Sequence, residues 1–295
     1  MNAAGLVATI PAPSIRDIEL GPFEIRLYAL CLLAGVAVAS WLTVRRWAAR
    51  GGQPDVVLEV TLWSVLAGLV GGRLYHVVTS WDQLGDEWYA PFAIWEGGLG
   101  IWGGVLFGVL AGALVCRLRG VSVLEMMDAA APGILIAQGI GRLGNYFNQE
   151  LFGGPTDQPW GLEVDLSRRP DEYIDVATFH PTFLYEMLWN FGGAALIIWA
   201  GHRFRIRPPG VFLLYVAVYS LGRIFWEQLR VDPSREFLGQ RLNFYVALAL
   251  LLGALAVFVW DRRRRGPEDE RRAPPPAAGV PRAPGGRARP AGRRP

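Results

Sequence analysis

Charge is scarce in this chain. Only 19% of its 295 residues are charged, below the roughly 25% usual in soluble domains. The shortage leaves several stretches of about 20 residues with few or no charges, the length a helix needs to cross roughly 30 Å of hydrocarbon. A soluble enzyme, a collagen-like rod and a disordered chain are thereby excluded. Cysteine is nearly missing: two residues, Cys31 and Cys116, exclude a disulfide framework. Read at opposite ends of two spans, they lie too far apart to bridge, and each reads as a small hydrophobe. The three histidines, His76, His180 and His202, show no metal-ligand spacing, so no metal and no cofactor is expected. No basic n-region opens the chain, and Pro11 and Pro13 interrupt its first apolar run, so the start does not read as a signal peptide. No internal repeat stands out, which leaves an inverted-repeat transporter without support. Lysine is absent altogether: all 29 basic residues are Arg.

What remains is apolar helix and unevenly placed arginine. Seven spans are predicted near 22–44, 56–79, 97–117, 124–145, 180–201, 209–229 and 242–261. The fold class expected is all-α: a polytopic membrane helix bundle with an outward-facing loop region. Three parts follow: an outer N-terminal segment 1–21, a seven-helix membrane domain 22–261, and an Arg/Pro-rich tail 262–295. The tail holds 11 Arg against 3 acids, a net +8, so with the whole chain at +3 the remainder carries −5. Its Pro, Gly, Ala and Arg can bury almost nothing, and it is expected to be disordered. Placed after a membrane helix, it suits anionic lipid head groups rather than nucleic acid.

Arginine follows alternate connections: Arg45, Arg46 and Arg50 after the first span, Arg117 and Arg119 after the third, Arg203, Arg205 and Arg207 after the fifth, and Arg262–Arg265 after the seventh. The connection 80–96 holds Asp82, Asp86, Glu87 and Glu96 with no Arg, and 151–179 holds Asp157, Glu163, Asp165, Asp171, Glu172 and Asp175 against two Arg. The bias puts the Arg-bearing ends and the tail in the cytoplasm, and the N-terminus and acidic loops outside. Trp81, Trp88, Tyr89, Trp95 and Trp160 collect near span ends as an aromatic belt. Gly100, Gly104, Gly108 and Gly112 recur every four residues, a smooth stripe that lets another helix approach closely.

Charged residues within spans are costly and rare, yet this chain places several at predicted outer ends. Arg73 ends the second span. Arg142, Asn145 and Glu150 lie in GIGRLGNYFNQELFGG, His180 and Glu186 in HPTFLYE, and Arg223, Glu227 and Arg230 in YSLGRIFWEQLR. Tyr219, Arg223, Glu227 and Arg230 follow i, i+4, i+8, i+11, one face of one helix, and Arg142 and Asn145 share another. Several Arg around a common cavity suit an anion with several oxygens, because guanidinium pairs with phosphate in a two-pronged way. At that depth the natural anion is a lipid phosphate. The plainer reading is structural: Arg223–Glu227 as a buried salt bridge, and Glu186 paired with Arg73. Four Arg, three Glu, an Asn and a His on four helices exceed what packing needs.

At these residues the chain resembles the prolipoprotein diacylglyceryl transferase family. The block GRLGNYFNQELFG, with Arg142 and Gly153, is similar to the family's signature. HPTFLYE is similar to a second block, and Arg223-x-x-x-Glu227-x-x-Arg230 followed by Asp232 and Pro233 to a third. WEGGLGIWGG, from Trp95, resembles the segment entering helix 3, and Tyr28 matches a tyrosine near the start of helix 1. The resemblance spans roughly 22–261. It implies a bacterial plasma-membrane enzyme without cofactor. Its partners are phosphatidylglycerol, a preprolipoprotein signal peptide with its lipobox cysteine, and membrane lipids. A diacylglyceryl group moves to the cysteine thiol, forming a thioether and releasing glycerol phosphate. The implied catalytic residues are Arg142, Arg223, Glu227 and Tyr28. Phosphatidylglycerol contacts fall to Arg142, Asn145, Glu150, Gly153, Arg230, His180 and Tyr219. Many members resemble HGG where this chain reads Trp102-Gly103-Gly104, and tryptophan cannot take a proton. Tyr28, His180, Glu150 and Glu227 all stay open as proton acceptors. The alternative is a non-enzymatic membrane protein that binds or translocates an anionic lipid.

Overall fold

The computed structural model describes residues 9–21, 23–85, 87–232 and 236–264; the tail beyond Arg264 and Pro233 lie outside them. Seven helices long and apolar enough to span a membrane occur among the described residues. They are α1 Leu27–Ala48, α2 Pro54–Thr79, α3 Ile101–Leu118, α4 Val123–Asn148, α5 Thr182–Arg203, α6 Gly210–Leu229 and α7 Leu242–Arg264. One end of the bundle gathers the starts of α1, α3, α5 and α7 with the ends of α2, α4 and α6; it is called the site end below, and the other the far end. Large apolar residues such as Leu33, Val70, Val78 and Leu110 stand exposed along the helices, as a lipid-facing surface requires.

Local chemistry explains most boundaries and two departures. Pro54 starts α2, where its missing N–H costs nothing. Ser122 caps α4 by accepting from the Glu125 amide. The first helix does not start at 22. Asp17–Leu20 (β1) and Phe23–Arg26 (β2) pair antiparallel instead, turning at Gly21 with φ 63°, and α1 begins after them. The last helix continues to Arg264, three residues past the expected span. Two further short strand pairs, Leu162–Glu163 (β3) with Thr178–Phe179 (β4) and Glu236–Phe237 (β5) with Gln240–Arg241 (β6), lie in site-end connections.

Packing centres on α4: 44% of its apolar window is buried, against 11% for α1 and for α7. Gly35 of α1 lies against Ala137 of α4, and Gly133 against Ala39. The α3 glycine stripe meets Gly72, Gly68 and Ser64 of α2. A methyl group added at Gly108 would sit 3.1 Å from the Ser64 carbonyl oxygen. That contact is what the four-residue glycine spacing anticipates.

The far end is locked by one acid. Asp128 of α4 is fully buried. Its Oδ1 accepts from the Val211 and Phe212 amides at 2.7 and 3.2 Å, capping α6, and its Oδ2 pairs at 2.8 Å with Arg50 in the turn just after α1. Arg46 adds a 2.9 Å bond to the Ala129 carbonyl. Helix N-termini expose amides with no partner in the helix, and a carboxylate there also answers the helix dipole. One side chain thus joins α1, α4 and α6.

Candidate active site

At the site end, α4 presents Arg142 and Asn145 on one face. Arg142 Nη1 donates to Asn145 Oδ1 at 3.1 Å, and Asn145 Nδ2 donates to Glu150 Oε1 at 2.8 Å, an oxygen also reached by Asn148 Nδ2 at 3.2 Å. Arg142 Nη2 pairs with Glu186 Oε2 of α5 at 2.6 Å. Gly144 leaves the backbone bare, and the Tyr28 ring of α1 fills the space; an added methyl would lie 2.5 Å from Tyr28 Cδ2. The chain then reverses through two left-handed residues, Gln149 (φ 52°) and Leu151 (φ 60°). The Gln149 amide holds the turn, accepting from the Asp165 amide and donating to Asp165 Oδ2, both at 2.8 Å.

The next segment is a folded cap. Phe152, Leu162, Val164 and Phe179 form a small core with Phe183 of α5. Gly153 is its tightest point: its amide bonds the His180 carbonyl at 2.9 Å. An added methyl would lie 2.8 Å from His180 Cβ and 3.1 Å from the Leu229 carbonyl oxygen. Glycine is required there by close approach. His180 Nδ1 lies 3.3 Å from the Tyr185 hydroxyl, which accepts from Trp160 Nε1 at 2.8 Å.

On α6, Arg223 and Glu227 pair at 2.8 Å, with Glu227 1% exposed. Arg223 Nη2 is not aimed along a hydrogen bond, so the buried Oε2 has charge compensation but no bonded donor. Glu227 Oε1 accepts from Asn243 Nδ2 of α7 at 3.1 Å and lies 3.1 Å from Arg241 Nε. Tyr219 sits one turn inward, stacked with Tyr215 in the apolar core between α4, α5 and α6.

Arg230 is a correction. The i+11 spacing put it on the helical face of Arg223, but α6 ends at Leu229 and Arg230 is extended. There it bridges Gly153 antiparallel. Its fork closes on Asp232, Nε to Oδ1 at 2.7 Å and Nη2 to Oδ2 at 3.0 Å. Burial opposes charge on both partners. Against it, the hydrogen bonds and charges of Arg230 and Arg241 hold the Asp232 carboxyl below its usual range. Asp232, Glu227 and Glu186 likewise hold the Arg230 guanidinium charged. Glu186 and Glu227 both favour the charged form of Arg230, so the acids of the α4–α5 pair and of the α6 pair share the electrostatic surroundings of one guanidinium.

Arg73 does not pair with Glu186. Buried at 7% exposure, it donates to the carbonyls of Ala90, Pro91, Gly97 and Gly98, pinning the connection before α3. His76 packs on Gly98 beside it. Trp102 is half exposed on α3, next to exposed Ile101 and Val105. Two members of the cluster escaped the sequence reading of the site and a third was misassigned. Glu186 was seen but given the wrong partner, while Arg241 and Asn243 were not seen at all. Their signal was faint: polar residues in RLN, just before the apolar run of α7.

Among the described residues no three His, Cys, Asp or Glu side chains group to hold a metal. The donors assembled are guanidinium and amide groups. They can receive an oxyanion and stabilise charge that grows on it.

The chain matches the family described as prolipoprotein diacylglyceryl transferase over residues 16–260. It is 50% identical over 261 residues to phosphatidylglycerol–prolipoprotein diacylglyceryl transferase 2 of Streptomyces coelicolor, covering 88% of this chain and 82% of that one. It is 50% identical over 266 residues to the transferase so named in Cutibacterium acnes, covering 89% and 90%. The one from Mycobacteroides abscessus is 46% identical over 266 residues, covering 85% and 78%.

Proposed function

This chain belongs to the prolipoprotein diacylglyceryl transferase family, and from that premise we propose how its site end carries out the reaction. It is a multi-pass membrane enzyme of lipoprotein biosynthesis that transfers diacylglyceryl from phosphatidylglycerol to a prolipoprotein. The binding-only alternative gives way to that membership.

The acceptor in our reading is the thiol of the lipobox cysteine. Its thiolate attacks the glyceryl carbon that bears the phosphate. A C–S bond forms, the C–O bond to phosphate breaks, the thiol proton passes to a base, and glycerol phosphate leaves with the bonding pair. Negative charge therefore grows on the phosphate oxygen as the bond lengthens. Arg142 and Arg223 stabilise that charge from α4 and α6. Each is aimed by a buried carboxylate, Glu186 and Glu227 respectively. Asn145 and Glu150 orient Arg142 and the head group, and Tyr28 walls the site over Gly144. Gly153 and Arg230 brace the cap against α6, with Arg230 committed to Asp232 rather than to lipid. His180 flanks that brace and Tyr219 lines the inward wall. The site end faces outward, because Arg45, Arg117, Arg119, Arg203 and Arg262–Arg264 collect at the far end.

The observation that carries this reading is the pairing of two guanidiniums from different helices, each held by a buried acid, within one cluster. The test is incubation of purified protein with phosphatidylglycerol and a lipobox peptide. A peptide mass increased by one diacylglyceryl group, with glycerol phosphate released in equal amount, is the expected result. Lipid bound without either product would defeat it.

A further inference from the structure

Glu227 stands between two arginines. Arg223 Nη2 lies 2.8 Å from its Oε2 and Arg241 Nε 3.1 Å from its Oε1, with Asn243 Nδ2 also on Oε1 at 3.1 Å. Were Arg223 the sole cation facing this acid, the pair would be neutral and the guanidinium would turn onto the carboxylate, leaving no charge for a substrate. Arg241 changes the balance: with Arg230 and Asp232, which join it, three cations face two anions and leave a net positive charge.

Arg241 is also fixed more firmly than Arg223. Its Nη2 donates to the Asp232 carbonyl and to Asp232 Oδ2, both at 2.8 Å. Its Nη1 reaches the carbonyls of Arg230 and Glu227 at 3.3 and 3.4 Å. Those carbonyls belong to the last turn of α6 and its cap, where a helix leaves acceptors unfilled and favours cations. The rigid fork of guanidinium N–H groups suits such a multiple grip, which a Lys ammonium cannot reproduce. Arg241 comes from β6, fourteen residues beyond Glu227, and so ties the connection into α7 to the site.

We infer that Arg241 is a positioning residue of this active site: it compensates Glu227 from the α7 side, so that Arg223 keeps its charge and its free N–H groups for the lipid phosphate. The inference rests on the transferase reading above. Arg241 acts through Glu227 and Arg223 and touches no reacting atom in this account.

The test uses the full chain in detergent with phosphatidylglycerol and a lipobox peptide. Thioether formation by the wild type is established first, so that failure of the transferase reading is separate from failure of this inference. Arg241→Gln should then lower kcat/KM about 10- to 100-fold, as misplacement of a catalytic group does. Arg241→Lys should recover part of that loss. The decisive comparison is E227Q/R241Q against E227Q. With the Glu227 carboxylate gone, Arg241 keeps only its grip on Asp232 and the end of α6, and the double variant should lie within about threefold of E227Q. A purely structural role would instead make the two losses multiply. Multiplying losses, or R241Q within about twofold of wild type, would overturn the inference. If R241Q does not accumulate because Glu227 is left buried and less compensated, the double variant still decides the question, because it removes that charge and Asp232 keeps its pairing with Arg230.

Discussion

The two ends of the bundle each bury an acid among arginines, and they treat it differently. At the far end Asp128 is saturated: Oδ1 holds two α6 amides and Oδ2 holds Arg50. At the site end Glu227 has an arginine beside each oxygen, yet its Oε2 has no hydrogen-bonded donor. A saturated network in a low-dielectric interior holds helices together and offers nothing to a ligand. Arg223, held beside Glu227 by charge rather than by a hydrogen bond, keeps N–H donors that a ligand can use. The same residue types thus make a clasp at one end and a binding site at the other.

The comparison can be broken at its strongest point by removing a site-end cation. Arg142→Ala or Arg223→Ala should cost about 10²–10³ in rate per folded molecule, the usual loss of one donor to developing charge, whatever stability is lost by leaving the buried Glu186 or Glu227 less compensated. The Lys variants should recover only part, keeping charge without the fork. Glycerol phosphate release measures both; near-normal release in both Ala variants would end the proposal. Asp128→Ala should do the reverse. It removes the buried partner of Arg50 and uncaps α6, costing on the order of 3 kcal/mol of stability. Turnover per folded molecule should be unchanged. Thermal melting in detergent, with activity corrected for folded fraction, separates the two; loss of turnover by folded protein would place Asp128 in the wrong class.

A middle case sharpens the boundary. Gly153→Ala forces a methyl onto His180 and the Leu229 carbonyl, an overpacking of about 1–3 kcal/mol, and it also shifts the Arg230 bridge. Stability and turnover should fall together, as paired melting and rate measurements would show.

pH offers a smaller effect. The Asp232 carboxyl is held below its usual value, so its contribution to stability is full above the unfolded pKa of about 3.9 and is lost as pH falls through the lower folded value. Between pH 5 and 8 the melting temperature should therefore show no dependence traceable to Asp232, and Asp232→Asn should differ from wild type most near neutral pH. The smallest effect belongs to the tail. The family match ends at residue 260, and removal of 266–295 should leave turnover within about twofold, since such a composition builds no core. Loss of turnover in a properly inserted truncation would contradict this.

What could be read from the sequence divides along similar lines. Spans and the α3 glycine stripe depend on composition and spacing within one helix, and both were legible. So were Arg142, Asn145, Arg223 and Glu227, because a charge in an apolar run is conspicuous wherever it lies. Partners across helices were not legible. Glu186 meets Arg142 rather than Arg73 only because α4 and α5 pack together. Arg230 left its predicted face because α6 ends one residue earlier, which periodicity cannot report. Arg241 looked like an ordinary flank of α7, and Asp128 an ordinary acid near a helix start. Each acquires meaning from a residue more than ten positions away.

The central claim is that Arg142 and Arg223 act on charge that develops during bond breaking, beyond simply holding the lipid. The direct measurement is Arg223→Ala with kcat at saturating lipobox peptide and phosphatidylglycerol set beside the dissociation constant for phosphatidylglycerol. Interactions made only in the transition state lower kcat without an equal loss of ground-state affinity. The account expects kcat to fall about a hundredfold or more while the dissociation constant changes by less than about tenfold. An unchanged kcat, with the whole defect in lipid affinity, would contradict it.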